Sequence, residues 1–287
     1  MLYLALIGGD EMAVRITTLS ENTAGPGMLA EWGLSVLVET DEQKALLDTC
    51  ASISVPHNAF LLKVDLSTID KIVLSHGHYD HTGGLRDVLS KMGKKVEIIA
   101  HPDIWANKQL LVGEQHVYIG IPFSREELEG LGASFILSRE PVWISDDIVT
   151  TGEIPMVTEY EEIDPVLYVK QDDEFVPDPL LDDRALIIKT DEGLVVVLGC
   201  AHRGAINTLY HAREVTGVDL IHTVIGGTHL VSATEERVLL TAAALQELGV
   251  QRVGVSHCTG LPAAMILAQE LGESFFFNNA GTRLTLE

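Results

Sequence analysis

The chain has 287 residues, 46% of them hydrophobic, and carries 42 acidic against 19 basic residues for a formal net charge of -23. That length and apolar content exclude a disordered chain and suffice for a sizeable core. The acidic excess repels phosphate backbones and anionic lipid, which excludes nucleic acid and membrane surface as partners held on a broad basic face. A pocket built around a cation still accepts a single phosphate group, and solubility accounts for most of the charge.

Residues 1–10 are apolar but brief, lack a basic n-region and run into acidic residues, so no secretory signal is read. No uninterrupted apolar run reaches the ~20 residues that span a bilayer. Cys50, Cys200 and Cys258 are too few and too scattered for a disulfide framework, which predicts a reducing, cytoplasmic setting. Residues 34–39 and 44–48 read as strands joined in a hairpin across Thr40-Asp41-Glu42-Gln43.

Residues 69–75 form a short β-branched run, and His76-Gly77-His78-Tyr79-Asp80-His81 follows at once, with a helix predicted over 84–92. Helical neighbours lie three or four residues apart. Here His76 and His78 are two apart and Asp80 and His81 adjacent, so a loop is expected, with one ion on the first pair and a second ion on the other. A solvated polar loop is the competing reading. Glycine between two clustered histidines, and Gly83-Gly84 just after, fit a tight metal loop better. Zinc, manganese and iron share imidazole and carboxylate ligands, so geometry selects among them.

After a strand at 96–100 the character changes. Residues 101–183 set Trp105, Tyr118, Phe123, Phe135, Trp143, Tyr160 and Tyr168 among acidic clusters, which predicts an elaborated insertion forming a pocket wall or lid. For any one of these aromatics a local mini-core is the commoner role.

The second half returns to strands, at 185–189, 194–198, 222–225 and 252–256, and to helices at 207–215, 234–248 and 263–271. Three strands run out into Cys200-Ala201-His202, Thr228-His229 and Ser256-His257. One such histidine is usually a satisfied structural group, but strands of one sheet deliver their carboxyl ends to a common edge. His202 and His257 are expected as further ligands, and His229 as a ligand or substrate contact. Cys200, two residues before His202, is a secondary ligand candidate. Strand pairs with helices in both halves predict an α/β chain of two packed sheets with helices outside, a single four-layer domain over residues 1–287. Nothing in the pattern specifies an oligomeric state.

The His76–His81 motif, after a strand pair ending in Asp48-Thr49, resembles the signature of the metallo-β-lactamase superfamily. Residues 75–85, Gly199-Cys200-Ala201-His202, Gly226-Gly227-Thr228-His229-Leu230 and His257-Cys258-Thr259-Gly260 resemble its dihydropterin-ribofuranosylaminobenzene phosphate synthase subgroup. Asn22-Thr23-Ala24-Gly25 and Glu31-Trp32-Gly33-Leu34-Ser35 extend that likeness over nearly the whole chain, weakest in the middle. The resemblance implies an αββα sandwich with one or two divalent ions at the sheet edge, zinc expected and manganese or iron the alternatives. It implies His76 and His78 on the first ion, Asp80 and His81 on the second, and His257 as the last histidine. Asp48 is expected to steady a ligand histidine through a hydrogen bond. Three departures stand out: Cys200 where many relatives have a bridging Asp, no Pro-Gly-His segment near 149–153, and Cys50 where the subgroup commonly has Gly.

Lewis-acidic ions lower the pKa of bound water toward ~7 and supply hydroxide at neutral pH. Metal-dependent hydrolysis of an ester or phosphoester is the leading expectation, with Asp80 orienting the nucleophile and His229 stabilising developing charge. The subgroup implies instead a transfer, in which a pterin with a pyrophosphate leaving group condenses with a ribofuranosylaminobenzene phosphate. A non-catalytic or redox metal protein ranks third. On the first two readings the partner is a small molecule, phosphorylated or pterin-like.

Overall fold

Alternation along the strands decides the layers. In Ser35–Glu39, Val36 and Val38 enter one apolar cluster and Leu37 another; in Ala185–Thr190, Leu186 and Ile188 join the first cluster while Ile187 joins a third. A period of two with both faces apolar means a sheet covered on both sides. The computed structural model describes residues 14–286, so the apolar opening at residues 1–10 lies outside the described residues.

The first half supplies β1 (Val14–Ser20), β2 (Ser35–Glu39), β3 (Lys44–Leu47), β4 (Lys71–Val73), β5 (Val96–Ala100), β6 (Lys108–Val112), β7 (Gln115–Tyr118) and β8 (Ala133–Leu137). The second supplies β9 (Ile148–Thr150), β10 (Leu167–Gln171), β11 (Glu174–Pro177), β12 (Ala185–Thr190), β13 (Gly193–Leu198), β14 (Ile221–Gly227), β15 (Arg252–Ser256), β16 (Phe275–Phe277) and β17 (Arg283–Leu286). One sheet runs β17-β1-β2-β3-β4-β5-β8, the other β16-β15-β14-β13-β12-β9. Val36, Val38, Leu47 and Val73 of the first meet Leu186, Ile188, Val195 and Val197 of the second in the central core.

Helices close the outer faces. α1 (Ser54–Leu62), the single turn α2 (Tyr79–Thr82), α3 (Leu85–Met92) and α4 (Arg125–Gly130) belong to the first half; α5 (Ala205–Thr216), α6 (Glu235–Glu247) and α7 (Leu261–Leu271) cover the second sheet. α3 buries Leu85, Val88, Leu89 and Met92, an i, i+3, i+4, i+7 stripe, and stops at Gly93, whose φ of 60° is left-handed. The hydroxyl of Thr234 caps α6 by accepting from the Arg237 amide (3.3 Å), with Glu235 and Glu236 in the first turn where the helix dipole favours anions. These layers make the expected αββα sandwich. Among the described residues no helix is long and apolar enough to cross a membrane.

Residues 101–183 divide among three sheets. β8 and β9 complete the two large sheets, whereas β6, β7, β10 and β11 form a four-stranded sheet in the order β11-β10-β6-β7. Trp105 stacks edge-on against Phe135 at 5.3 Å on the core side, while His116 lies flat on Phe175 at 3.7 Å within the small sheet. β3, β4 and β5 run parallel, as do β13, β14 and β15, and the carboxyl ends of β3, β4, β13, β14 and β15 carry the chemistry-bearing segments to one edge.

Candidate metal centre

Beyond β4 the chain is gripped by Asp48 from the end of β3. Its Oδ1 accepts from the Ser75 amide (2.7 Å) and its Oδ2 from the Ser75 hydroxyl (2.6 Å). The Gly77 amide then donates to Asp182 Oδ2 (2.8 Å), and a Cβ at Gly77 would collide with the Ile104 carbonyl, so glycine is required there. Asp182 Oδ1 and Asp178 Oδ2 take the ammonium of Lys108 at 2.8 and 2.9 Å; Lys108 is 1% exposed. Burial alone would lower its proton affinity, and the two carboxylates outweigh burial and raise it. The four-stranded sheet thus reaches beneath the histidine motif through a buried ion pair.

The loop expected over the whole motif holds only for its first half. Asp80 and His81 sit on α2, where the Thr82 amide donates to the His78 carbonyl (3.2 Å) and the Gly83 amide to that of Tyr79 (2.6 Å). A single turn of four residues is too short to leave a periodic trace in sequence.

Both sheets deliver side chains through strained backbone, Asp48 from the first and Ala201, His229 and His257 from the second. Asp48, Ala201, His229 and His257 all have positive φ, at 59°, 53°, 47° and 50°. Non-glycine residues held there cost free energy and cluster at functional sites. Gly199 lets the end of β13 close on β4, since a Cβ there would overlap the Ser75 side chain.

The two sides meet in a chain of ring contacts. His76 Nε2 lies 3.0 Å from His78 Nδ1 and 3.2 Å from His202 Nε2. His81 Nε2 lies 3.1 Å from Cys200 Sγ and 3.2 Å from His257 Nε2, which in turn is 3.4 Å from Asp80 Oδ2. His76, Cys200 and His202 form one group of donor atoms within 4.8 Å, and His81, Cys200 and His257 form another. All six sequence-predicted ligands, His76, His78, Asp80, His81, His202 and His257, are therefore in one place, with Cys200 between the two groups. His229 stands at the rim, its ring 4.1 Å from that of His202 and its Nε2 3.9 Å from Asp164 Oδ2.

Sequence reasoning missed Cys258, which joins Cys200 and His229 in a third such group. Its signal was present in the strand-end segment His257-Cys258-Thr259. It also missed Asn22, whose Oδ1 accepts from His257 Nδ1 (3.0 Å) and whose amide donates to the His257 carbonyl (3.1 Å). Asp48 does hold a histidine, with Oδ2 2.6 Å from His81 Nδ1. Cys50 packs in the core beneath the first sheet and receives the Ser20 hydroxyl at 3.1 Å, and burial pushes its thiol up to about 11. Its φ of 60° shows why glycine is at home at that position. The stretch 149–153 stays away from the centre: Glu153 binds His101 (3.0 Å) and Arg139 (2.6 Å) instead.

Electrostatics divide the centre. Burial, then neighbouring imidazoles, hold His76, His78 and His202 well below the usual histidine range. Burial pulls His81 the same way, but Asp48 and Asp80 outweigh it and raise His81 to about 9. Burial raises the Asp80 carboxyl, and His81 and His257 overcome that to lower it. His78 Nε2, His202 Nδ1 and both ring nitrogens of His229 are buried without a hydrogen-bond partner in the protein. Neutral imidazoles this close, with orphaned nitrogens and a thiol and carboxylate alongside, are a donor set suited to divalent metal.

Residues 33–211 match the family model described as Metallo-beta-lactamase superfamily. The chain is 34% identical to the 7,8-dihydropterin-6-methyl-4-(beta-D-ribofuranosyl)-aminobenzene-5'-phosphate synthase of Methanocaldococcus jannaschii, over 93% of this chain and 95% of that one. Among solved structures, Tm1679, described as a metal-dependent hydrolase of the beta-lactamase superfamily, superposes with a TM-score of 0.82 at 28% identity, covering 96% of this chain and 99% of that chain. The metallo-beta-lactamase fold protein YhfI of Bacillus subtilis shares the fold at a TM-score of 0.59 and 14% identity, over 96% of this chain and 100% of its own. A family match across most of the chain, a relative alike over nearly its full length and the layered sandwich agree: the chain belongs to the metallo-β-lactamase superfamily.

Proposed function

We propose that this protein is a metal-dependent transferase that joins a pterin carrying a pyrophosphate leaving group to the amine of a ribofuranosylaminobenzene phosphate. The observation that carries this reading is likeness to a synthase at 34% identity over 93% of this chain and 95% of that one. It moves transfer ahead of hydrolysis, which the histidine motif alone favours.

In this reading His76, His78 and His202 hold one ion, Asp80, His81 and His257 hold a second, and Cys200 stands between them. Bound ions supply positive charge that stabilises pyrophosphate as it departs. Asp48, on His81 Nδ1, fixes the tautomer that turns Nε2 toward the centre. The carbon–oxygen bond to pyrophosphate breaks with its electron pair leaving on oxygen, a carbon–nitrogen bond forms from the amine, and the amine loses a proton. His229 takes that proton. Burial lowers the affinity of His229, but Cys258 and Asp164 outweigh burial and raise it. Both ring nitrogens of His229 lack a partner within the protein, and the Asp164 carboxylate, 3.9 Å from Nε2, favours the charged imidazole that results.

Hydrolysis is the second reading, favoured by the 28% identity to a protein described as a metal-dependent hydrolase. The test is pyrophosphate release from 6-hydroxymethyl-7,8-dihydropterin pyrophosphate by the zinc- or manganese-loaded protein, with and without the ribofuranosylaminobenzene phosphate. Release that requires both substrates supports transfer. Release without the amine, or turnover of a chromogenic phosphodiester alone, supports hydrolysis.

A further inference from the structure

A cavity of about 420 Å³ opens against the far side of His257 and presents mostly apolar surface, with Trp32, Val231, Leu261 and Phe277 in its wall. These four are 50%, 47%, 66% and 49% exposed, a concentration of large apolar surface in one hollow. Contiguous exposed apolar surface of this kind marks a binding site, and the volume lies within the range of small-molecule pockets. Trp32 stands edge-on to the His257 ring at 5.1 Å, and His257 in turn reaches Asp80 and His81. A group seated in the hollow therefore has the candidate metal centre directly behind one wall.

We infer that this cavity holds the neutral planar ring of the substrate, a fused heterocycle such as a pterin, with Trp32 against its face. The assignment rests on the transfer reading for the identity of the ring, and on the cavity itself for its class. No lysine or arginine lines the hollow, and its one carboxylate, that of Glu21, already accepts from the amides of Thr23 and His257. A phosphate has no counter-charge there, whereas a neutral ring does not need one. Asn279 and Ser256 add an amide and a hydroxyl to the lining, suited to the hydrogen-bonding edge of a heterocycle. The larger cavity on the His229 side, about 540 Å³, is of the opposite character, with Arg237, Glu162 and Asp164 in its wall.

The experiment titrates the full chain with 6-hydroxymethylpterin, read by pterin fluorescence, with metal loaded and after chelation. Saturable binding is expected in both states, because no candidate ligand other than His257 lines the cavity. Trp32→Ala is expected to weaken binding roughly tenfold, the scale of one lost aromatic stack, with metal content per chain unchanged. Leu261→Asp, at an exposed position that places no burden on the core, is expected to weaken it as well. Absence of saturable binding to the parent, or equal affinity in both variants, overturns the inference. So does a Leu261→Asp variant that converts a dimer to a monomer in sedimentation while pterin affinity stands, since the face is then a contact between copies of this chain. Pyrophosphate release is measured in parallel. Release by the parent with the pterin-substrate KM unmoved by Trp32→Ala sinks the cavity and leaves the transfer. Pterin binding lost in Trp32→Ala, with no release by the parent, keeps the cavity and sinks the transfer.

Discussion

At one end of the buried centre His76, His78 and His202 meet with no carboxylate among them, whereas at the other Asp80 faces His257 and Asp48 grips His81. The first end holds imidazoles that are already neutral at physiological pH; the second holds a protonated His81, raised to about 9. A cation taken by these three imidazoles displaces no proton from them. A cation entering the second must expel one from His81, so its binding steepens with rising pH while binding at the first end does not. On the two-ion reading proposed above, the two ends would fill under different conditions.

The largest expected break in this comparison is His78→Ala. One ion per chain should be lost and turnover should fall by about a hundredfold or more, with circular dichroism unchanged because the core does not depend on one loop ligand. His81→Ala should lose the other ion; metal analysis showing both ions lost from either variant would mean the two ends are one site. Next comes His229→Ala, expected to keep both ions and to lower turnover by about a hundredfold, the scale of a lost proton acceptor. Loss of an ion there would promote the group of Cys200, His229 and Cys258 to a working site. Asp48→Asn should weaken metal at the carboxylate end alone, by roughly 10- to 100-fold in chelator competition.

The smallest effect is on the stability of the metal-free protein, and its sign differs between the ends. His81 binds its proton more tightly folded than unfolded, so its contribution is complete below its unfolded value of 6.5 and is lost as pH rises through about 9. His76, His78 and His202 refuse a proton that the unfolded chain accepts, so they cost stability as pH falls below 6.5. Denaturant unfolding after chelation should show a maximum near pH 6.5. A stability that only rises or only falls between pH 5 and 9 would contradict the division.

The same contrast governs what the sequence discloses. His76, His78, Asp80 and His81 crowd into six residues and are visible at sight. The residues facing them are scattered over three strand ends, and only the recurrence of an apolar run followed by glycine or histidine betrays them. Elements with inverted patterns stay hidden. α1 exposes Phe60 and Leu61 and buries Asn58, because the Asn58 amide donates to the carbonyls of Leu19 (2.7 Å) and Leu29 (2.8 Å). β6 likewise buries Lys108 and Gln109, leaves Leu110 and Leu111 half-buried and exposes Val112, so its burial runs against its hydropathy. In both, specific polar contacts replace the hydrophobic periodicity on which prediction depends.

The carboxylate that holds Gly77 lies 105 residues downstream, in the segment that also pins Lys108. A nascent chain halted before Asp178 would contain the complete histidine motif yet lack the anchor that shapes its backbone. The site is therefore complete only when residues far apart in the chain are all present, and any swap of the small sheet between relatives must carry Lys108, Asp178 and Asp182 together.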